Sequence, residues 1–338
     1  MKLIKTTEAV GHVLCHDMTR IIPGEYKGAR FKKGHIVTEE DIPVLLSMGK
    51  ENLYIFEKDE NTLHEDEAAE ILCEICKGEN ISRGKVSEGK IELFSDIDGL
   101  FTVDREKLNK INSVDEIMIA TRKGDTAVKT GDKLAGMRVI PLVIGKDKMD
   151  IAKGIAKEKP ILNVLPYVLK TAAVITTGSE VFYGRIEDKF TPVLKEKLSD
   201  YGIGITEHII TDDGTDNIQQ AINSVKGKAD MILCTGGMSV DPDDNTPGAI
   251  KNTGAQIVTY GAPVLPGAMF LMGYYEDGTP VMGLPGCVMY AKATIFDLVL
   301  PRIAAGVRLT KADFISYGEG GLCLGCDKCT YPDCSFGK

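Results

Sequence analysis

A change of pattern near residue 171 constrains the fold more than any other feature of this sequence. Downstream of it, short apolar segments alternate with helical patterns of about 10–15 residues. Such alternation is typical of a mostly parallel sheet with right-handed crossovers and helices on both faces. We therefore predict an α/β domain whose ligand lies outside the carboxyl ends of its strands.

The expected elements of this domain follow from the same alternation. Strands are expected over residues 172–176, 205–210, 231–234, 256–259, 268–274 and 281–284. Helices are expected over residues 188–201, 215–226, 247–251 and 288–305.

The chain upstream of this domain is predicted to be a strand-rich α+β region. Helices are expected over residues 39–49, 62–79 and 104–114, and strands over 53–56, 90–94, 116–121 and 137–144. The Lys-rich segment 146–159 is interpreted as a solvated linker. The expected division is an N-terminal α+β module (1–82), a strand-rich module (83–168), the α/β domain (169–310) and a Cys-rich metal-binding tail (311–338).

The charge balance argues against several classes of partner. Lys and Arg number 40 and Asp and Glu number 49, which gives a net charge of −9. Neither nucleic acid nor an anionic membrane is expected as a partner, because both bind through clustered cations. The longest apolar runs have five residues, and the first residues lack the apolar core of a secretory signal. We expect a cytoplasmic protein.

Four loops that follow expected strands combine glycine, hydroxyl and carboxylate residues. They are 176–186, 211–216, 235–246 and 284–287. Glycine lets a phosphate reach backbone N–H groups, and the next helix N-terminus adds favourable partial charge. Carboxylates would repel that phosphate unless Mg²⁺ lies between them. The four loops together predict a metal-assisted site for a phosphorylated ligand, whereas any one of them is also explained as a simple turn.

The motifs in these loops give residues 171–306 a resemblance to a known family. Thr177-Gly178-Ser179-Glu180 is similar to TG[DN]E, and Asp212-Asp213 lies where an acidic pair is common. Residues 230–244 (DMILCTGGMSVDPDD) resemble the GG[TV][GS] loop, and 283–286 resemble GLPGNP. These motifs, in this order, resemble the molybdopterin-binding domain of molybdopterin molybdenumtransferases and adenylyltransferases.

The resemblance implies a function and a set of site residues. The chain would bind molybdopterin or its adenylate and insert molybdenum from molybdate, with Mg-assisted loss of AMP. Asp213 and Asp244 would hold Mg²⁺ and act in catalysis. Asp98, in a stretch similar to S-x-x-D-G-Y-A, would help to place molybdate near a partner subunit's pterin site, although a simple β-turn with Asp and Gly also explains this stretch. The cofactor-binding residues would be Thr177, Gly178, Ser179, Glu180, Gly236, Gly237, Ser239, Pro285 and Gly286. A homo-oligomer is also implied.

One departure from the family keeps other functions open. The PGKP motif of the family is matched by Pro266-Gly267, but Ala268 stands where the family has Lys. A lost Lys removes a point charge that holds phosphate or oxyanion. The alternatives to a molybdenumtransferase are a non-catalytic carrier of the cofactor, with a molybdoenzyme as a further partner, and a nucleotide pyrophosphatase or amidase on the same domain.

The last residues carry a cluster of cysteines. Cys323, Cys326, Cys329 and Cys334 have the spacing C-x2-C-x2-C-x4-C. Thiolates this close can converge on one metal, and both zinc and an iron–sulfur cluster suit them. Of the other cysteines, Cys73 and Cys76 are expected to pack in a core. Cys287 is expected at a helix start, where either a thiolate or simple packing of the thiol would explain it.

Overall fold

The computed structural model describes residues 2–22, 26–55, 60–157 and 159–338. Phe56 of the expected strand 53–56 and Glu158 of the expected linker lie outside these ranges. None of the helices in the described residues is long and apolar enough to cross a membrane. The chain divides into two compact units. Unit 1 comprises Met1–Asp96, Val103–Arg122 and Thr130–Asn163, and unit 2 comprises Ile97–Thr102, Lys123–Lys129 and Val164–Lys338.

The strands and helices are numbered in chain order over the described residues. The strands are β1 Lys2–Lys5, β2 Met18–Ile22, β3 Tyr26–Phe31, β4 Asn52–Ile55, β5 Thr62–His64, β6 Ile81–Arg83, β7 Lys90–Ser95, β8 Gly99–Val103, β9 Ile117–Thr121, β10 Thr126–Val128, β11 Lys133–Val139, β12 Val143–Gly145, β13 Leu162–Pro166, β14 Thr171–Thr177, β15 Gly204–Thr211, β16 Met231–Thr235, β17 Gln256–Tyr260, β18 Leu271–Tyr274 and β19 Pro280–Leu284. The helices are α1 Asp41–Ser47, α2 Glu65–Cys76, α3 Arg105–Asn112, α4 Lys146–Ala156, α5 Ser179–Phe182, α6 Phe190–Ser199, α7 Thr215–Val225, α8 Thr246–Asn252, α9 Ile295–Ala304 and α10 Lys311–Ile315.

Helix α2 shows why unit 1 folds as its pattern predicts. Its first turn is closed by a capping box, in which the His64 ring accepts from the backbone of Asp66 and Glu67 reaches back to the His64 amide. Cys73 and Cys76 are buried on its inner face, as expected. The C-x2-C pair of α2 is therefore part of a core.

Two predictions for unit 1 are wrong. The segment interpreted as a solvated linker forms α4, whose Met149, Ala152 and Ala156 are buried at helical spacing among the lysines. The single strand expected over 137–144 is two strands, because β11 pairs with β7 and β9 while β12 pairs with β5. In both cases tertiary pairing and burial, rather than local composition, decide the element.

The six-stranded sheet of unit 2 confirms the predicted α/β fold. Its strand order is β15-β14-β16-β19-β18-β17. The first four strands run parallel; β18 is antiparallel to β19, and β17 is antiparallel to β18. Apolar residues of α6 and α9 pack on one face of the sheet, and those of α7 and α8 pack on the other. The carboxyl ends of β14, β15, β16 and β19 thus lie side by side at the same end of the strands, which is the carboxyl edge of the sheet.

Helix α9 begins later than expected. Residues 286–289 form a 3-10 turn, and α9 starts only after Thr294, whose side chain and Asp297 make a capping box. Beyond α9 the tail is folded onto unit 2, with Phe314 and Phe336 buried in the same core as Val299.

Candidate functional site

Four loops extend from the carboxyl edge of the unit 2 sheet. Loop 1 (residues 178–189) follows β14, loop 2 (212–214) follows β15, loop 3 (236–245) follows β16, and loop 4 (285–294) follows β19. Each leads towards the next helix or, in loop 1, contains α5. This is the edge at which the sequence predicts a ligand site.

The contact between Thr177 and Gly236 joins loop 1 to loop 3. Gly236 has a φ of +87°, and a Cβ at this position would lie 2.2 Å from the carbonyl oxygen of Thr177. Only glycine allows so close an approach of two backbones in that conformation. The Thr177 hydroxyl lies 3.1 Å from the hydroxyl of Thr246, at the start of α8. Loops 1 and 3 are therefore held side by side.

Asp213 joins loop 2 to both neighbours. One oxygen of its carboxylate accepts the Ser179 amide at 2.8 Å. Its carbonyl oxygen accepts the side-chain amide of Asn245 at 2.9 Å. Hydrogen bonds to a carboxylate orient it as well as bind it. Among the residues that the structure describes, the second carboxylate oxygen of Asp213 accepts no hydrogen bond.

Asp244 is held in the same way within loop 3. One of its carboxylate oxygens accepts the Ser239 amide at 2.7 Å. The hydroxyl of Tyr260 donates to the carbonyl oxygen of Met238 at 2.9 Å, and burial together with the nearby Asp244 charge raises the pKa of Tyr260. The backbone amides of Ser179 and Ser239 thus already donate to carboxylates. These two residues can therefore donate to a ligand only through their side-chain hydroxyls.

Loop 4 lies beside loop 3 because β19, which precedes it, pairs with β16. Thr235 pairs with Leu284, which places Pro285 and Gly286 directly beside the start of loop 3. A Cβ at Gly286 would meet nothing within 4 Å, so this turn faces open space. Gly178, Gly237 and Gly286 lie on loops that leave one edge of the sheet, as the sequence predicts.

Several polar groups at this edge suit an anionic ligand. The buried Thr235 hydroxyl has no hydrogen-bond partner among the described residues. Within the same residues, the Gly236 and Gly237 amides donate no hydrogen bond. Unsatisfied donors beside glycines form the kind of cradle that binds phosphate. Within the described part of the chain, Asp213 and Asp244 each have one carboxylate oxygen without a hydrogen bond, and oxygens of this kind are ligands that hard cations prefer.

A cluster around His208 was not predicted. The Asp188 carboxylate accepts from the Thr191 hydroxyl and the Phe190 and Thr191 amides, and lies 3.2 Å from His208 Nε2. The Thr176 hydroxyl contacts both Asp188 and His208. Burial opposes ionisation of Asp188, but these hydrogen bonds outweigh it and lower its pKa. The cluster fixes the end of loop 1 against β15.

Asp98 lies at the other end of the sheet. It forms an ion pair with Lys129 at 3.2 Å. Burial raises the pKa of the Tyr167 phenol, and the nearby negative charge of Asp98 raises it further. Tyr167 precedes β14, whereas the four loops follow the carboxyl ends of the strands. Asp98 and Asp244 are therefore at opposite edges of the sheet within one chain.

The structure distinguishes the two expectations for Cys287. This residue is in the 3-10 turn of loop 4, and burial raises the pKa of its thiol, which favours packing over a thiolate. Among the described residues, no three His, Cys, Asp or Glu side chains are gathered to hold a metal ion. The tail thiols at 323, 326, 329 and 334 are all free, and Cys326 and Cys329 are exposed.

Unit 1 contains a separate polar cavity of about 400 Å³. At its wall, Arg138 lies 3.5 Å from the buried Glu65 carboxylate, whose pKa is raised by burial. The Nδ1 atom of His16, another lining residue, is buried without a partner among the described residues. No sequence motif indicates this cavity, because its lining comes from distant segments of the chain.

Comparisons with known proteins match the segment that carries the loops. A family model described as a probable molybdopterin binding domain matches residues 173–305, and one described as a domain of unknown function matches residues 3–57. Two relatives named as putative competence-damage inducible proteins, from Bacillus thuringiensis (strain Al Hakam) and Bacillus cereus (strain AH187), are 35% and 34% identical over 89 residues. Each match spans 26% of this chain and 22% of the relative, about a fifth of its length.

Solved structures of small proteins are similar to part of the chain. CinA of unknown function from Thermoplasma acidophilum has 19% identity and a TM-score of 0.34, covering 40% of this chain and 98% of that one. The molybdopterin biosynthesis enzyme MoaB from Thermus thermophilus has 17% identity and a TM-score of 0.33, covering 41% and 98%. The tungsten cofactor synthesizing protein MoaB from Pyrococcus furiosus has 22% identity and a TM-score of 0.33, covering 41% and 94%.

The family match and the sheet coincide. The matched segment starts within β14 and ends just after α9, so it contains most of β14, the other three parallel strands and all four loops. Residues 173–305 are therefore similar to probable molybdopterin binding domains.

Proposed function

We propose that the four loops of unit 2 bind molybdopterin or its adenylate and that the chain inserts molybdenum during assembly of the molybdenum cofactor. The observation that carries this proposal is the joining of loops 1, 2 and 3 through the Thr177–Gly236 and Ser179–Asp213 contacts, inside the segment that matches the family. A ligand that spans these loops would meet donors and carboxylates together.

The terminal phosphate of the ligand would lie against loop 3. The amides of Gly236 and Gly237 are its donors, and the Ser179 and Ser239 hydroxyls complete the set. The Gly286 turn of loop 4 approaches from the adjacent strand. Backbone donors at such turns bind phosphate without a side chain in the way.

Asp213 and Asp244 would hold Mg²⁺ between the loops and the phosphate. When bound, Mg²⁺ neutralises charge and so lowers the cost of placing phosphate oxygens beside two carboxylates. Because each carboxylate is fixed by one amide hydrogen bond, its remaining oxygen is oriented in advance. These residues therefore position the ligand rather than transfer protons.

The proposed reaction loses AMP from the adenylate as molybdenum is taken from molybdate. Asp98 would place molybdate, and its position at the opposite edge of the sheet requires that it act on the site of a second copy of the chain. We accordingly propose a homo-oligomer.

A carrier of the finished cofactor is the second candidate. Ala268 follows the Pro266-Gly267 turn where the family resemblance expects Lys, which removes one cation from the phosphate side of the site. A carrier would bind the ligand without releasing AMP, and would hand it to a molybdoenzyme.

Calorimetry with molybdopterin and with its adenylate tests the proposal. We expect a Kd below about 100 µM, or roughly −5.5 kcal/mol, for at least one of them in the presence of Mg²⁺. Asp244→Asn should weaken binding at least about tenfold, whereas Asp241→Asn, in the same loop but exposed, should leave it unchanged. No binding of either ligand would exclude both candidates.

Release of AMP separates the two candidates. AMP formed from the adenylate only when molybdate is present supports the transferase, and binding without AMP supports the carrier. Cleavage of free dinucleotides in place of the adenylate would favour a pyrophosphatase.

A further inference from the structure

The four-cysteine segment is a surface loop whose two ends are fixed to unit 2. At its start, the Cys323 amide donates to the carbonyl oxygen of Leu265, and the Leu265 amide donates to Gly321, both at 2.8 Å. At its end, the Tyr331 hydroxyl donates to the carbonyl oxygen of Asp297 at 3.1 Å. Between these anchors, residues 324–330 are exposed and form neither helix nor strand.

The ends of the loop are also closed on each other. The Gly337 amide donates to the carbonyl oxygen of Gly320 at 2.8 Å. Cys323 and Cys334 both pack against the core of unit 2, so two of the four thiols are placed by the fold itself. The other two, Cys326 and Cys329, lie on the exposed part of the loop.

The backbone between the first two cysteines favours convergence of their thiols. Gly325 has a φ of +64°, and a Cβ there would meet nothing within 4 Å. The left-handed backbone conformation, rather than lack of space for a side chain, therefore explains why residue 325 is glycine. The chain then bends at residues 327–328, between Cys326 and Cys329, so the backbone of the loop already curves around the segment that carries these thiols.

Exposed thiols with no structural partner need a chemical explanation. They are prone to oxidation, and within the described residues Cys326 and Cys329 are exposed and form no disulfide. Four thiols within twelve residues, on a loop with fixed ends, match the ligand set of a tetrathiolate metal site. Such sites gain their final geometry as the metal binds. Ligation therefore needs only a rearrangement of residues 324–330 that brings the four thiols together.

We propose that Cys323, Cys326, Cys329 and Cys334 bind one thiolate-ligated metal centre, a zinc ion or an iron–sulfur cluster. The centre fastens the tail to the β17–β18 connection, which carries Leu265, and to the first turn of α9, which carries Asp297. This proposal is independent of the pterin site, because its ligands and its anchors lie outside loops 1–4.

Metal analysis of the full-length chain, purified without oxygen, tests the proposal. We expect either about one zinc per chain, or iron and sulfide with an absorbance band near 400 nm. The Cys326→Ser/Cys329→Ser variant should lose the metal. The matched variant Asp327→Ser/Lys328→Ser, which changes exposed residues of the same loop, should retain it.

Thiol alkylation followed by mass spectrometry gives a second readout that does not depend on variants. In the metal-bound chain we expect Cys326 and Cys329 to react at least about ten times more slowly than after removal of the metal. Absence of zinc and of iron from the purified and the reconstituted chain, with all four thiols fully reactive, would overturn the proposal.

Discussion

At the scale of single residues, the candidate site depends on a few backbone contacts. The carbonyl oxygen of Thr177 occupies the space that a side chain at residue 236 would need. The same glycine has a left-handed φ that other residues adopt only at a cost. One residue thus fixes the distance between loops 1 and 3, and the amide donors of loop 3 are fixed with it.

We predict that Gly236→Ala separates these loops. The added methyl group meets the Thr177 backbone, so we expect a loss of about 1–3 kcal/mol in the free energy of unfolding and at least about tenfold weaker ligand binding. Urea denaturation and calorimetry measure the two effects. Gly248→Ala, in α8 with open space around its Cβ, is the control and should be neutral or stabilising. Unchanged binding by Gly236→Ala would contradict the role of this contact.

At the scale of elements, the end of loop 1 is fixed by Asp188. Its carboxylate accepts the first amides of α6, and it binds Thr191 and lies beside His208 of β15. Because folding lowers the pKa of Asp188, the folded chain binds its proton more weakly than the unfolded chain does. The stabilisation is therefore complete above the ordinary pKa of 3.8 and is lost as the pH falls through the lower, folded value.

We predict that Asp188→Asn removes this pH-dependent contribution. At pH 7 the variant should be less stable by about 1–2 kcal/mol, because hydrogen bonds to a charged, mostly buried acceptor are weakened. The difference from the unmodified chain should shrink below pH 4 in urea titrations. Glu187→Gln, at a neighbouring exposed carboxylate, should change stability by less than about 0.5 kcal/mol at any pH. An equal loss at pH 3 and pH 7 would show that the charge of Asp188 is not the cause.

Sequence pattern predicts some elements better than others, and the reasons are physical. Strands β14, β16 and β19 are buried on both faces and read as apolar runs, so their positions and the shared edge of their loops follow from the sequence. Helix α4 is missed, because its three buried residues are hidden among lysines. The 3-10 turn at 286–289 is missed too, since the capping box at Thr294, and not the apolar pattern, sets the start of α9.

The same distinction applies to the candidate site. Glycines and carboxylates in loops 1–4 can be found in the sequence, because turn chemistry restricts their residue types. The Asp188–His208 contact cannot, because it joins residues of two elements whose register is set only by the folded sheet. The sequence also leaves two states open for the Cys287 thiol, because its burial depends on packing that the sequence does not reveal.

At the scale of the whole molecule, the proposed transferase needs more than one chain. Asp98 is near Tyr167, before β14, whereas Asp213 and Asp244 lie beyond the carboxyl ends of β15 and β16. A β14 of seven residues separates these edges by about 20 Å. A complete site would therefore combine Asp98 of one copy with the loops of another.

We predict that mixed variants recover activity. Asp98→Asn and Asp244→Asn should each release AMP at a small fraction of the normal rate. Subunits of the two variants, mixed under exchange, should regain about a quarter of that rate if they pair at random as dimers, since half of the dimers would then hold one intact site. A mixture of Asp213→Asn with Asp244→Asn should regain nothing, because both changes fall in the same site. A mixture of Asp98→Asn with Asp244→Asn that stays at the parental rates would exclude sharing of the site.

The closely joined backbones of loops 1 and 3 also bear on how a guest would enter. Neither loop can move outward without losing the close contact between residues 236 and 177. We therefore expect no hinge motion of loops 1 and 3 at the candidate site. Its donors are set before any encounter, and little reorganisation is required on association. The rate of ligand binding should then depend on diffusion and charge. The selectivity for one ligand over another should depend on the fixed shape of the site between the loops.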